Sequence, residues 1–267
     1  MAGCAPRVPS AGPNAPIRYD SSVEFDDGHA MALHLSRPVS FDAEHPLVLF
    51  ATGDGGWRGK DKAAFEQMTR WGYPLAGFSA PSYIQHLVKH EHTTTPADVA
   101  RDFAEIIGVA ERDLLMPPYG ARTLLVGVSR GAGLVVAAAG EPSLQPSLVG
   151  VVAVALTREE EYVHRLRRPR RRPQADPELV MLDNYEYLPR LRRLPLSIIQ
   201  STHDDYLPAE EARRLLGPDT ALRQLHPIPS KNHSFTDARE QLYEQMQASL
   251  AWVSQIGLGQ DAAGDGQ

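Results

Sequence analysis

The stretch LLVGVSRGAGLVV, residues 124–136, sets a serine between two glycines where one apolar run ends and a second, richer in small residues, begins. The first run reads as a buried strand and the second as a helix. Gly127-Val128-Ser129-Arg130-Gly131 is therefore a G-x-S-x-G turn between them. Its glycines allow a sharp strand-to-helix bend that lifts the Ser129 hydroxyl above the sheet, and the helix start beneath it favours developing negative charge. Five such letters arise by chance in Gly-rich turns. The strand before and the helix after are what single out Ser129 as a nucleophile.

Working outward, apolar strands are expected at 46–52, 74–79, 123–128, 148–156, 196–200 and 222–228. Helical patterns fall at 60–71, 96–111 (with Thr95 as N-cap), 131–140, 208–216 and 235–256. A hairpin is expected around Asp27-Gly28. Strands alternating with amphipathic helices predict an α/β fold, its mostly parallel sheet covered by helices on both faces. The interval 158–193 breaks the rhythm between two core strands and reads as an Arg-rich insertion over the end of the sheet. The organisation expected is a flexible Pro/Ala/Ser/Gly tether at 1–16, one domain at 17–256 and a disordered tail at 257–267.

An activated serine needs a base and an acid to orient it, in the chain order Ser, Asp or Glu, His. Residues 201–208, STHDDYLP, follow one strand, and residues 229–235, PSKNHSF, follow the next. His233 is thus the base. Asp204 is favoured as the acid because Asp-x-x-x-Pro fits a loop common among α/β-hydrolases, and Asp205 is the alternative. An oxyanion hole would take backbone N–H groups of Arg130, after the nucleophile, and of Asp54, in the loop after the strand at 46–52. Trp57 in that loop reads as packing more than chemistry.

Composition narrows the classes. A net charge of -6 over 267 residues argues against a general nucleic-acid binder. No run approaches the roughly 20 apolar residues that span a bilayer. No cofactor motif and no complete metal set is present; His86, His90, His92 and Glu91 cluster in 82–95, read as an exposed loop near the site. Cys4 is the sole cysteine, and Met1-Ala2-Gly3-Cys4 is similar to the end of a lipoprotein signal.

With TGDGGW at 52–57, GVSRGA at 127–132, TPADVARD at 95–102 and NHSF at 232–235 in hand, the chain resembles the VirJ/AcvB family of bacterial α/β-hydrolase proteins. The resemblance spans residue 46 to the end of the closing helix. The chain departs from the family pattern at Thr52, Val128, Arg130 and Gly133, with Arg130 standing for an aromatic residue beside the acyl pocket. It implies an α/β-hydrolase fold and a serine hydrolase site in the periplasm, and for some members hydrolysis of aminoacyl-phosphatidylglycerol. The function expected is a carboxylic ester hydrolase using Ser129, His233 and Asp204 through an acyl-enzyme. The alternative is a non-catalytic hydrolase-fold module associated with the envelope or secretion. A periplasmic, lipid-anchored protein and a cytoplasmic one are both open. Arg165, Arg167, Arg168, Arg170, Arg171 and Arg172 could hold an anionic membrane surface, or form a solvated loop.

Overall fold

Strands β3 (Leu47–Ala51) and β5 (Thr123–Val128) lie side by side, parallel and fully buried, at the centre of an eight-stranded sheet. The computed structural model describes residues 16–38, 45–88, 94–116, 122–161 and 181–264. Cys4, His90, Glu91, His92, the six arginines from Arg165 to Arg172, and all of the tether but Pro16 lie outside the described residues.

The chain opens with the antiparallel hairpin β1 (Ile17–Glu24) and β2 (Ala30–Arg37), turning at Gly28 with φ 75°. Then come β3, α1 (Gly59–Arg70), β4 (Leu75–Phe78), α2 (Ala80–Leu87), α3 (Pro96–Asp113), β5, α4 (Arg130–Ala139) and β6 (Leu148–Val154). After a short antiparallel pair, β7 (Glu159–Glu161) and β8 (Met181–Asp183), and α5 (Asn184–Tyr187), the domain closes with β9 (Leu196–Ser201), α6 (Ala209–Leu216), β10 (Arg223–Ile228) and α7 (Arg239–Gly264). The sheet order is β1-β2-β4-β3-β5-β6-β9-β10, and every neighbouring pair from β4 onward is parallel. Successive residues of a strand face opposite sides. Accordingly Leu47, Leu49 and Ala51 pack with α3 and α4, while Val48 and Phe50 pack with α1 and α7. This is the mostly parallel, doubly covered α/β sheet that the alternation predicts.

Two expectations are corrected. Residues 80–87 form a helix rather than exposed loop: Tyr83, His86 and Leu87 fall on one inner face, and His86 is 2% exposed. His86 can be buried because it stacks on Phe25 and sits 3.2 Å from carboxylate oxygens of both Asp27 and Asp102. It joins the hairpin turn to α2 and α3. The tail read as disordered from residue 257 instead continues α7 to Gly264. The absent side chain of Gly257 lets the helix pass directly over Val149, where a Cβ would meet the Val149 carbonyl at 2.1 Å, and Leu258 packs on the core. Tertiary packing here outweighs low helix propensity.

The His86 clamp carries a pH signature. Burial alone would lower its pKa, but hydrogen bonding and charge from Asp102, then Asp27, hold it above the ordinary 6.5, with Asp26 and Glu105 adding to the acidic surroundings. A raised histidine pKa stabilises the fold fully below the unfolded value and ceases to do so as pH rises through the folded one. The stability of wild type relative to His86→Gln is expected to be greatest below pH 6.5 and to shrink on the alkaline side of that pH. Urea unfolding of both proteins across pH 5.5–9 measures it, and a difference independent of pH would count against the charged clamp.

Candidate active site

Ser129 occupies the turn between β5 and α4 at φ 54°, ψ −118°, in the left-handed region that costs a non-glycine residue strain. The flanking glycines explain how the turn closes. A Cβ on Gly127 would lie 2.2 Å from the Gly131 carbonyl oxygen, and one on Gly131 would lie 2.3 Å from that of Ala51. Ser129 N–H donates to Val154 O at 2.8 Å, tying the elbow to β6. G-x-S-x-G is thus a packing requirement of this turn, and its product is a hydroxyl held at the carboxyl end of the sheet.

The acid and the histidine arrive at the same rim from β9 and β10, which pair in parallel. His233 Nε2 is 2.8 Å from Ser129 Oγ, and its Nδ1 is 2.7 Å from Asp204 Oδ2. A carboxylate only accepts, so the Nδ1 proton points at Asp204 and leaves Nε2 to accept the serine proton. Asp204 is 3% exposed and held by donors on every side: Tyr206 N–H at 2.9 Å, Leu207 N–H at 3.2 Å and Gln200 Nε2 at 3.1 Å. Asp205 is exposed, one residue away. Of the two candidate acids, Asp204 is the one beside His233. Tyr206 covers the imidazole edge-on, with ring centroids 4.8 Å apart.

The loop after β3 supplies the facing wall. Thr52 is fully buried; its hydroxyl accepts from Ala80 N–H at 3.1 Å and so locks β3 to α2. Gly53 lies so close to the serine that a Cβ there would be 3.3 Å from Ser129 Cβ. Gly53 N–H donates to the buried Asp61 at 3.0 Å. Burial raises the Asp61 pKa, while the Gly53 hydrogen bond and the charges of Lys60 and Arg239 oppose the rise. Asp54 and Arg130, expected only as backbone donors, both border the pocket, and Arg130 Nε donates to the Asp54 carboxylate across it. Trp57 packs, as read: it stacks on His34 and lies edge-on to Phe65.

A cavity of about 700 Å³ opens at Ser129 and His233. Thr157, Arg158 and Glu159 border it, so the root of the insertion forms one wall. No sequence motif marks Lys60, Asp61, Thr157 or Tyr206 as site residues, because only the fold brings them near Ser129. Among the described residues no group of His, Cys, Asp and Glu could hold a metal ion. No described helix is long and apolar enough to cross a membrane.

Residues 45–166 match the family described as bacterial virulence protein (VirJ). Over that stretch the chain is VirJ-like. The VirJ segment holds the Gly53–Asp54 loop and the Ser129 elbow, whereas Asp204 and His233 lie beyond it; the resemblance drawn to the end of the closing helix is matched only to residue 166. No curated protein matches the sequence. Among solved structures, the chain is similar to the esterase domain of a Rhodothermus marinus protein, with a TM-score of 0.60, 17% identity, and coverage of 88% of this chain and 98% of that one. It is also similar to a Pyrococcus furiosus esterase (0.61, 14%, 88% and 92%) and to an alpha-beta serine hydrolase homologue from Coxiella burnetii (0.58, 13%, 85% and 94%). At these identities the likeness establishes the fold, which is that of the α/β-hydrolases.

Proposed function

We propose that this VirJ-like chain is a serine carboxylic-ester hydrolase acting through an acyl-enzyme, on a polar acyl ester of the bacterial envelope such as aminoacyl-phosphatidylglycerol. The observation that carries the reading is the unbroken chain from Asp204 through His233 to Ser129, both links under 3 Å, at the mouth of a cavity. Ser129 Oγ attacks the ester carbonyl while its proton passes to His233 Nε2. The backbone N–H groups of Asp54 and Arg130 hold the oxyanion. The alcohol leaves with the proton from His233, and a water then attacks the acyl-enzyme, giving its proton to His233. The acid departs and Ser129 recovers its hydrogen. For an aminoacyl-phosphatidylglycerol the products are the amino acid and phosphatidylglycerol.

The lining supports a polar acyl group over a fatty one. Among the described residues, no Leu, Ile, Val, Met or Phe borders the cavity. A long apolar chain would therefore find no aliphatic or phenyl side chain there to pack against, while charged and hydroxyl-bearing residues supply most of the wall. The envelope setting is the one implied by the VirJ/AcvB resemblance, and in it a lipidated Cys4 and the arginines from Arg165 to Arg172 would keep the enzyme at an anionic membrane.

A fluorophosphonate traps a serine only when its neighbours activate it. Wild type is expected to be labelled and Ser129→Ala to remain unlabelled, as read by mass spectrometry of the intact protein. Equal labelling of the two would overturn the proposal.

A further inference from the structure

The charges around the cavity are unequal in their commitments. Lys60, Arg130 and Arg158 border it, with Asp54 and Glu159 as the carboxylates, on a chain whose overall charge is -6. Arg130 donates to Asp54. Arg158 is engaged at 3.0 Å by Asp183, on the adjoining strand β8. Lys60 differs. Its ammonium donates to the neutral hydroxyl of Ser234 at 2.8 Å, and among the described residues no carboxylate lies within ion-pair distance of it. Ser234 follows His233 directly, so the charge stands one residue from the imidazole and on the same cavity. An ammonium has three donors, and one whose bond among the described residues goes to a hydroxyl has further donors to offer an anion in the cavity.

Alternative duties for Lys60 do not absorb this charge. It is the second residue of α1, where the amino end of the helix macrodipole disfavours a cation. Its neighbour Asp61 turns inward to Gly53 N–H, and takes from Lys60 only a through-space influence. Lys60 thus stands against the helix dipole, bonded to the residue after the histidine, with its charge at the cavity wall.

We infer that Lys60 forms an anion subsite of this cavity, so that the ester hydrolysed here carries a negative group, phosphodiester or carboxylate, seated on the Lys60 ammonium. The inference rests on the esterase reading of Ser129 and narrows it to anionic esters. Such a group would replace or share the Ser234 hydroxyl as the ammonium's partner. It would fix the ester's orientation relative to Ser129 by a charge-assisted hydrogen bond.

The test uses three short alkyl fluorophosphonates of matched length, ending in a methyl group, a carboxylate or a methyl phosphodiester. Each reports the rate at which Ser129 is captured, whatever the natural ester is. Wild type is expected to react with at least one anionic probe about tenfold or more faster than with the methyl probe, the worth of a hydrogen bond to a charged group. The faster of the two anions tells a phosphodiester headgroup from a carboxylate. In Lys60→Gln the anionic-over-neutral ratio is expected to collapse toward one, and in Lys60→Arg to persist; a ratio cancels any general loss of reactivity. Equal rates with all three probes in wild type, or a preference that survives Lys60→Gln, would overturn the subsite. Should Lys60→Gln react with no probe at all, the wild-type ratio and its loss in high salt decide the matter. Failure of every probe on wild type is a different result: it removes the nucleophile reading itself, and the subsite with it.

Discussion

Ser129→Ala is expected to lower kcat on p-nitrophenyl acetate, or on any ester that wild type turns over, by about 10⁶-fold. The magnitude follows from what the hydroxyl does in the chain of contacts. Without Oγ there is no bond to form with the acyl carbon, and the 2.8 Å contact to His233 Nε2 has no proton to transfer. What survives is stabilisation of the oxyanion around a water attack, worth about 10³–10⁴ over the uncatalysed reaction. Alanine tolerates the φ of 54° no worse than serine does, so the elbow and the fold should persist, with the melting temperature nearly unmoved. His233→Ala should cost about as much, and the double variant little more than either single one, because the residues act as a unit. Stopped assays over long incubation, with purified protein of matched folding, measure these floors. A Ser129→Ala enzyme retaining a tenth of wild-type turnover would mean that the reaction runs elsewhere.

How much of this site could be read from letters alone follows from the range of the interactions. The elbow was legible because its constraint is local: two glycines, a strand and a helix lie within thirteen residues, and the same closeness that forbids a Cβ at Gly127 and Gly131 writes itself into the sequence. Asp204 and His233 were legible by order, since both follow strands whose carboxyl ends must meet at one rim of a parallel sheet. What no local pattern carries is which distant group faces which. Lys60 meets Ser234 across 174 positions, and Arg130 meets Asp54 across 76. His86 reads as part of an exposed loop because its partners, Asp27 and Asp102, come from a hairpin turn and another helix. The end of α7 is illegible in the sequence for a related reason. Gly257 and Gly259 weaken a helix in isolation, and only the groove above Val149 makes the first of them an asset.

The two adjacent aspartates give the sharpest discrimination. Asp204→Asn is expected to lower kcat by about 10⁴-fold, while Asp205→Asn should leave it within about twofold. In the first variant the amide carbonyl can replace Oδ1 and go on accepting from Tyr206 and Leu207 N–H, so the loop keeps its anchors. The amide nitrogen then stands where Oδ2 accepted from His233 Nδ1 at 2.7 Å. A donor there selects the opposite tautomer, with the proton on Nε2, and a protonated Nε2 cannot take the proton of Ser129. The same nitrogen also faces Gln200 Nε2, formerly a 3.1 Å donor to Oδ2, which should cost about 1–3 kcal/mol of stability and lower the melting temperature modestly. Asp205 has no such engagement with the imidazole and is exposed, so its loss should reach neither quantity. Measuring turnover and unfolding on both variants separates the effects: an acid that merely holds the loop would lose stability and activity together, whereas Asp204→Asn should lose far more activity than its stability change can account for. If instead Asp205→Asn were the crippled enzyme, the contact between Asp204 and His233 would have no part in the chemistry.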